Sequence, residues 1–257
     1  MVIKNEEMLR KSVPAAFATE PEAGRVSDRY TFLPTTDILE ILQDEGWTAW
    51  KAFQVNSRTW SPDHGKHIIR LKHEDMDTQN FGVGDSFPEM LLINAHNGLG
   101  GYTLQGGIFR MVCSNGMVIS QEDFGKIKLR HIGFEPKQVQ EASRELIMNS
   151  SRIADKIGSW QNMEMTQRSQ EDFFADATRL RWDNPSQDII EAVSAARRSE
   201  DAGSDLWSVF NVAQENIIRG GFVDSNTRRQ TREITNISRN VQLNENLWKL
   251  ASAYANN

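Results

Sequence analysis

Cations alternate with aliphatic residues in two short runs of this sequence, and that spacing carries its most legible chemistry. In His67-Ile68-Ile69-Arg70-Leu71-Lys72, a strand puts Arg70 and Lys72 on one side with Ile68, and Ile69 with Leu71 on the other. Lys126-Ile127-Lys128-Leu129-Arg130 repeats the pattern. Lys51, Arg58 and Lys66 precede these runs, Arg110 closes another, and Phe53, Trp60, Phe109 and Phe124 are interleaved. Nucleic-acid binding needs cations for phosphates and flat rings for bases. The pattern therefore predicts a DNA track of Lys51, Arg58, Arg70, Lys72, Arg110, Lys126, Lys128 and Arg130, with Arg152 and Lys156 as a second line. The competing reading is a solvated sheet face with no ligand. Arg219, Arg228, Arg229, Arg232 and Arg239 outnumber Asp224 and Glu233 near the C-terminus, and the same two readings apply there.

Other chemistry has less support. His64-x-x-His67, with His73 nearby, offers imidazoles to a metal, but the histidines flank a turn and need not converge. Glu74, Asp75 and Asp77 could hold magnesium in a nuclease, yet they sit in a loop-like stretch. Cys113 follows an apolar run, where a free cysteine behaves as a small hydrophobe. The Walker, dinucleotide-binding, zinc-protease and nucleophile-elbow patterns are absent: Gly125-Lys126 is followed by Ile127, and Gly98-x-Gly100 meets Thr103 where a third glycine belongs. No cofactor is called for.

The elements that must position the track follow from the rest of the chain. Its 257 residues are long enough to bury a core, and the charge of −6 divides evenly, with 14 basic against 17 acidic side chains in residues 1–130 and 15 against 18 beyond. No apolar run suits a membrane span, and residues 1–17 mix charges into every turn, unlike a signal peptide. One cysteine excludes internal disulfides, and a reducing cytoplasm is the expected setting. Residues 1–27 read as a polar arm, ordered at most in part. Arg29–Leu33 reads as a strand, and a helix with Thr36 as N-cap follows it. Strands are expected at 47–58, 67–73, 90–95, 102–113 (with a bulge at Gly106-Gly107), 117–119 and 124–132, joined by short turns, hence mainly antiparallel. Val139, Ala142, Leu146, Ile153, Ile157, Trp160 and Met163 then mark one long amphipathic helix over about 137–165, expected to lie across the sheet. Helices near 169–182, 186–199, 204–219 and 242–255 complete the chain, and Gly220–Asn226 reads as a mobile connection. Trp47, Trp160, Trp207 and Trp248 suit helix or core positions better than a stacking platform. The fold class is α+β: an N-terminal sheet with the long helix packed on it (28–168), then a helical C-terminal region (169–257).

Several segments carry a likeness. Val13-Pro14-Ala15-Ala16-Phe17, Ser27 to Thr35 (SDRYTFLPT), Gly46-Trp47, His67 to Leu71 (HIIRL), Glu89 to His96 (EMLLINAH), Gly107 to Gly116 (GIFRMVCSNG) and Leu206 to Glu215 (LWSVFNVAQE) resemble, in order, a family of phage, prophage and plasmid proteins grouped as a domain of unknown function. A distant relationship of such proteins to single-strand annealing proteins of the Red-beta and RecT type has been suggested. That resemblance implies a small β-rich core, a long helix behind it and oligomers holding single-stranded DNA in a basic groove. It also implies no nucleotide hydrolysis and a phage exonuclease as a partner. Two other functions are weighed beside annealing: a metal-dependent nuclease built on His64/His67 or Glu74/Asp75/Asp77, and a protein that binds a host defence factor through its acidic surface.

Overall fold

The computed structural model describes residues 3–24, 26, 30–55, 61–76, 86–98, 100–110, 115–118, 126–129 and 135–256. The chain forms two compact units, Met1–Phe109 with Gln121–Ser151, and Arg110–Ser120 with Arg152–Asn257.

The first unit begins with a short helix where a loose arm is expected. Helix α1 (Glu6–Ser12) is capped by Asn5, whose side chain accepts from the Met8 amide at 2.9 Å, and carries acids in its first turn and bases in its last. A 3₁₀ turn over Pro14–Phe17 follows. Leu9, Val13, Ala15 and Ala16 are buried, the Ile3 amide donates to the Trp50 carbonyl at 2.7 Å, and the Ala15 amide donates to Gln54 Oε1 at 3.0 Å. Small apolar residues between the charges thus supply the packing that average polarity conceals. The strand expected near Arg29–Leu33 does not form in the described residues Tyr30–Leu33. The Leu33 carbonyl is taken instead by the Tyr102 hydroxyl at 2.6 Å, just before Pro34, which has no amide for a ladder. Helix α2 (Thr35–Asp44) has Pro34, not Thr36, at its N-cap. It ends before Gly46, whose φ of 86° and close approach to His73 (an added Cβ would lie 2.8 Å from Nε2) require glycine.

The sheet runs β1 (Trp47–Gln54), β2 (His67–His73), β3 (Ser86–Asn94), β4 (Tyr102–Arg110), with β6 (Lys126–Leu129) also paired to β4. The β1–β2, β2–β3 and β4–β6 pairs are antiparallel, as the short turns predict. β5 (Asn115–Val118) belongs to the second unit. A bulge interrupts β1: Ala49 pairs with Leu71, Lys51 with Arg70, and Trp50 is the extra residue. One face collects Trp47, Ala52, Gln54, His67, Ile69, Leu71 and His73. The long helix α3 (Pro136–Gln161) reaches this face, where Ser143 accepts the Trp47 indole N–H at 2.8 Å. Its stripe of Val139, Ala142 and Leu146 is buried, so the expected helix across the sheet is present. The other face carries Trp50, Lys51, Phe53, Ile68, Arg70, Phe87, Glu89 and Phe109.

The second unit takes the rest of α3 together with α4 (Gln167–Arg179), α5 (Gln187–Ser194), α6 (Leu206–Arg219), a hairpin of β7 (Val223–Asp224) and β8 (Arg229–Gln230), and α7 (Ile237–Tyr254). Thr166, Asp205 and Asn236 cap α4, α6 and α7 through side-chain oxygens. The core is aromatic: Trp160 lies 4.5 Å from Trp248 and 5.7 Å from Phe210, centroid to centroid, and Phe210 stacks on Trp207. The four tryptophans expected in helices or core, Trp47, Trp160, Trp207 and Trp248, are buried. Gly220–Asn226, expected to be a mobile connection, leads into the hairpin, with the Gly221 amide on the Thr231 carbonyl at 2.9 Å and the Thr231 amide on the Phe222 carbonyl at 2.7 Å.

Candidate nucleic-acid interface

Antiparallel register sets Lys51 directly opposite Arg70 and Phe53 opposite Ile68. The bulge is what brings Lys51 to this side beside Trp50. Its ammonium lies 4.2 Å from the centroid of Phe109 and 5.0 Å from that of Trp50, and Trp50, Phe87 and Phe109 form one buried aromatic cluster. Arg70 has 17% of its side chain exposed and donates to the carboxylate of Glu89, which is wholly buried. Burial pushes the Glu89 pKa up, and the positive charges of Arg70 and Lys51 oppose that rise. Lys72 is exposed at the outer end of the row, and Phe53 is 46% exposed. This stretch of sheet thus presents an accessible ring, a partly exposed guanidinium and an exposed ammonium over an aromatic floor. The arrangement can neutralise phosphates and stack a base.

The other expected members of the track divide. Arg110 sits at the end of β4, nearly buried, with its guanidinium 2.6 Å from Asp201. Asp201 also pairs with Arg198 at 3.0 Å, and Arg198 holds Glu215 through both nitrogens at 2.5 and 2.6 Å. Arg110 is therefore part of an internal ion network rather than a surface, because its charge is matched by a buried carboxylate. Lys126 and Lys128 lie on β6, in register with Gln105 and Thr103. On α3, Arg152 is exposed, and Lys156 is half-buried with its ammonium 5.7 Å from both the Trp160 and Trp248 rings. Arg58 and Arg130 lie outside the described residues, as do Trp60, Asp77, Cys113 and Phe124.

A second constellation has no counterpart among the sequence-based expectations. Thr35, His67, Asn94, His96 and Tyr102 are all buried and meet around the Thr35 hydroxyl, where the start of α2, the start of β2, the end of β3 and the start of β4 converge. Thr35 Oγ1 lies 3.2 Å from His67 Nε2, 2.9 Å from His96 Nε2, 3.1 Å from the Tyr102 oxygen and 3.3 Å from Asn94 Nδ2. Proton counting sets the direction of the Thr35–His67 bond. His67 Nδ1 is 3.0 Å from the Gly65 carbonyl, which can only accept, so Nδ1 carries the hydrogen. In the neutral ring Nε2 is then an acceptor, and the Thr35 hydroxyl donates to it. Tyr102 gives its own proton to the Leu33 carbonyl, and Asn94 Nδ2 donates to a Thr35 lone pair. Burial lowers the His67 pKa to about 4, although its bond to the Gly65 carbonyl opposes that shift. Burial raises the Tyr102 pKa. Both groups stay neutral near pH 7. The signal lies in the segments PTT, HIIRL and EMLLINAH, but nothing in their spacing says that they meet.

The histidines considered for a metal are committed elsewhere. His67 belongs to the Thr35 cluster, His73 donates from Nε2 to the Glu45 carbonyl at 2.8 Å and accepts the Asp75 amide on Nδ1 at 3.2 Å, and His64 Nε2 contacts the Glu20 carbonyl at 3.1 Å. Among the described residues no three or more His, Cys, Asp or Glu side chains are grouped to hold a metal. Nor is any helix among them long and apolar enough to cross a membrane.

Residues 22–248 match the family described as "Domain of unknown function (DUF932)". Two proteins of Escherichia coli (strain K12) are similar over nearly the whole chain. UPF0380 protein YafZ is 33% identical over 256 residues, covering 98% of this chain and 91% of its own length. UPF0380 protein YfjQ is 33% identical over 254 residues, covering 97% and 90%. No solved structure matches the chain significantly.

Proposed function

Because the chain belongs to the DUF932 family, a domain of unknown function, its role has to be read from its own surface, and we propose that it binds single-stranded DNA and pairs complementary strands. In this reading it acts as a homo-oligomer in the host cytoplasm, without a nucleotide cofactor and without bond-making chemistry. The observation that carries the proposal is the exposed ring of Phe53 on the sheet face that also carries Lys51 and Lys72. Cations neutralise the backbone and the ring holds a splayed base, which is how sequence-independent single-strand binding works. A sheet backed by a long helix and followed by a helical tail is also the plan expected of Red-beta and RecT-type annealing proteins, and that kinship is part of the proposal. A phage exonuclease that exposes single strands is the partner such an activity calls for.

Fluorescence anisotropy with labelled single-stranded DNA over a salt series, with light scattering on the same sample, tests it. The expected result is salt-sensitive binding by an oligomer. Phe53→Ala should weaken it by about 1–3 kcal/mol, the typical worth of a base–ring stack. The double variant Lys51→Ala/Lys72→Ala should flatten the slope of log K against log salt by about 1.4, roughly 0.7 for each phosphate no longer neutralised. No binding at low salt would overturn the reading and favour a protein partner.

A further inference from the structure

The hairpin that follows α6 and its C-terminal flank are rich in arginine. Arg228 and Arg229 sit at its tip, Arg232 just beyond it, and Arg239 in the first turn of α7. Among the described residues none of these four guanidiniums has an ion pair. Asp224 lies opposite Arg229 in register without forming an ion pair with it, and its carboxylate braces the turn: Oδ1 accepts the Asn226 amide at 2.9 Å and Oδ2 the Thr227 hydroxyl at 2.8 Å. Over residues 220–239 four arginines stand against the two acids Asp224 and Glu233, so this stretch carries a local net charge of +2 that an anion would complement.

The backbone adds an independent sign. Arg228 has φ 53°, the one described non-glycine residue in the left-handed region, locked there by its amide on the Asp224 carbonyl at 2.7 Å. Glycine or asparagine is the ordinary choice for that position of a tight hairpin. A long cation in its place means that the turn accepts strain to display a guanidinium. The root is held firmly. Arg181 donates to the Ile217 and Arg232 carbonyls, and Arg197 donates to the Gly220 carbonyl at 2.7 Å and to Asn216 Oδ1 at 2.5 Å. Two guanidiniums thus satisfy carbonyls at the C-terminal end of α6 and leave the tip arginines for something outside.

Its surface chemistry says what that is. The large apolar side chain exposed on the ribbon is Val223, at 64%, and Phe222 is half-buried with Arg197 over its ring at 5.3 Å. With its one ring covered by the Arg197 guanidinium, the ribbon offers mainly charge. Charge alone favours the polyanion of highest linear density, a duplex with about one phosphate charge per 1.7 Å of axis. A two-stranded ribbon also has the cross-section that a major groove admits. We infer that the Arg228–Arg229 hairpin is a sequence-independent contact for the phosphate backbone of duplex nucleic acid, separate from the sheet face proposed for single strands.

The test measures full-length protein against a labelled duplex of about 30 base pairs and, in parallel, the matching single strand, from about 50 to 200 mM salt. Arg228→Ala/Arg229→Ala should weaken duplex binding about tenfold at the low-salt end and reduce the salt slope by about 2, close to 0.9 for each phosphate no longer neutralised. Single-strand affinity and melting temperature should stay within error, since both side chains are exposed. The double lysine variant, which keeps the charges, should retain duplex binding. Duplex affinity unchanged in the alanine variant would overturn the assignment, as would hairpin-dependent binding to anionic lipid vesicles with none to duplex. Loss of single-strand binding by Phe53→Ala with duplex binding intact would support two sites, whereas absence of single-strand binding altogether would sink only the annealing proposal.

Discussion

The hydroxyl of Thr35 donates to Nε2 of His67 across 3.2 Å, tying the first turn of α2 to the first residue of β2. The bond exists only while His67 is neutral. A proton on Nε2 would occupy the lone pair that accepts the Thr35 hydrogen.

Acid should therefore destabilise the protein in a defined window. The folded pKa of His67, about 4, lies below the usual 6.5, so between these values the unfolded chain binds a proton that the folded chain refuses. Stability contributed by the neutral ring is complete above pH 6.5 and falls as the pH drops toward 4. Urea unfolding at pH 7 and pH 5 should differ by about 2 kcal/mol from this group. His67→Gln, which cannot titrate, should remove most of that difference; an equal acid loss in the variant would assign it to other groups.

Thr35→Val keeps the shape of the side chain and deletes the hydroxyl shared by His67, Asn94, His96 and Tyr102. The buried groups left behind lose their common partner, and the cost should reach about 2–4 kcal/mol. Thr35→Ser keeps the hydroxyl and should lose about 1 kcal/mol, the worth of one buried methyl. Denaturant titration separates the two, and equal losses would refute the hydrogen-bonding argument.

Arg70 and Glu89 should respond unequally to truncation. Arg70→Ala strands a fully buried carboxylate and should cost about 3–5 kcal/mol, whereas Glu89→Gln, which needs no counter-charge, should cost far less. Thermal melts of both variants at pH 7 give the comparison. If Glu89→Gln were the more damaging, the charge on Glu89 would itself be what the fold requires.

Arg110 stands in the cationic pattern expected to meet DNA, and its ion pair with Asp201 predicts otherwise. Arg110→Ala should lower stability by about 3 kcal/mol and leave the salt slope of DNA binding unchanged. A flattened slope in a well-folded Arg110 variant would return this residue to the interface.

What is readable in the sequence is whatever a repeat period can express. The period of two places β2 to the residue, because Ile69 and Leu71 must face the core together. The stripe from Val139 to Trp160 places the long helix for the same reason. Pairing across distance is not readable. No local pattern says that Glu89 lies beneath Arg70, that Asp201 awaits Arg110, or that Thr35 meets residues 32 to 67 positions further on. Polarity averaged over residues 1–27 also misleads, since Leu9, Val13, Ala15 and Ala16 are enough to fold that stretch onto β1. The cationic side of β2 is legible as a face but not as an environment: Ile68 on that side is buried, and Arg70 is turned to an internal acid.

Trp50 changes the parity of β1. Counted as a regular strand, Lys51 and Phe53 would share a side with Trp47 and Ala49, beneath the long helix. The extra residue resets the count halfway, so the two ends of one strand obey opposite odd–even rules. Length changes here are consequently not interchangeable. Removing Trp50 would leave every other β1 residue on its present side, at the expense of one ring. Adding a single residue anywhere between Lys51 and Phe53 would turn Phe53 and its cationic neighbours to opposite sides of the sheet. Insertions of two would be absorbed where insertions of one are not, and the surface offered to a ligand depends on an even number.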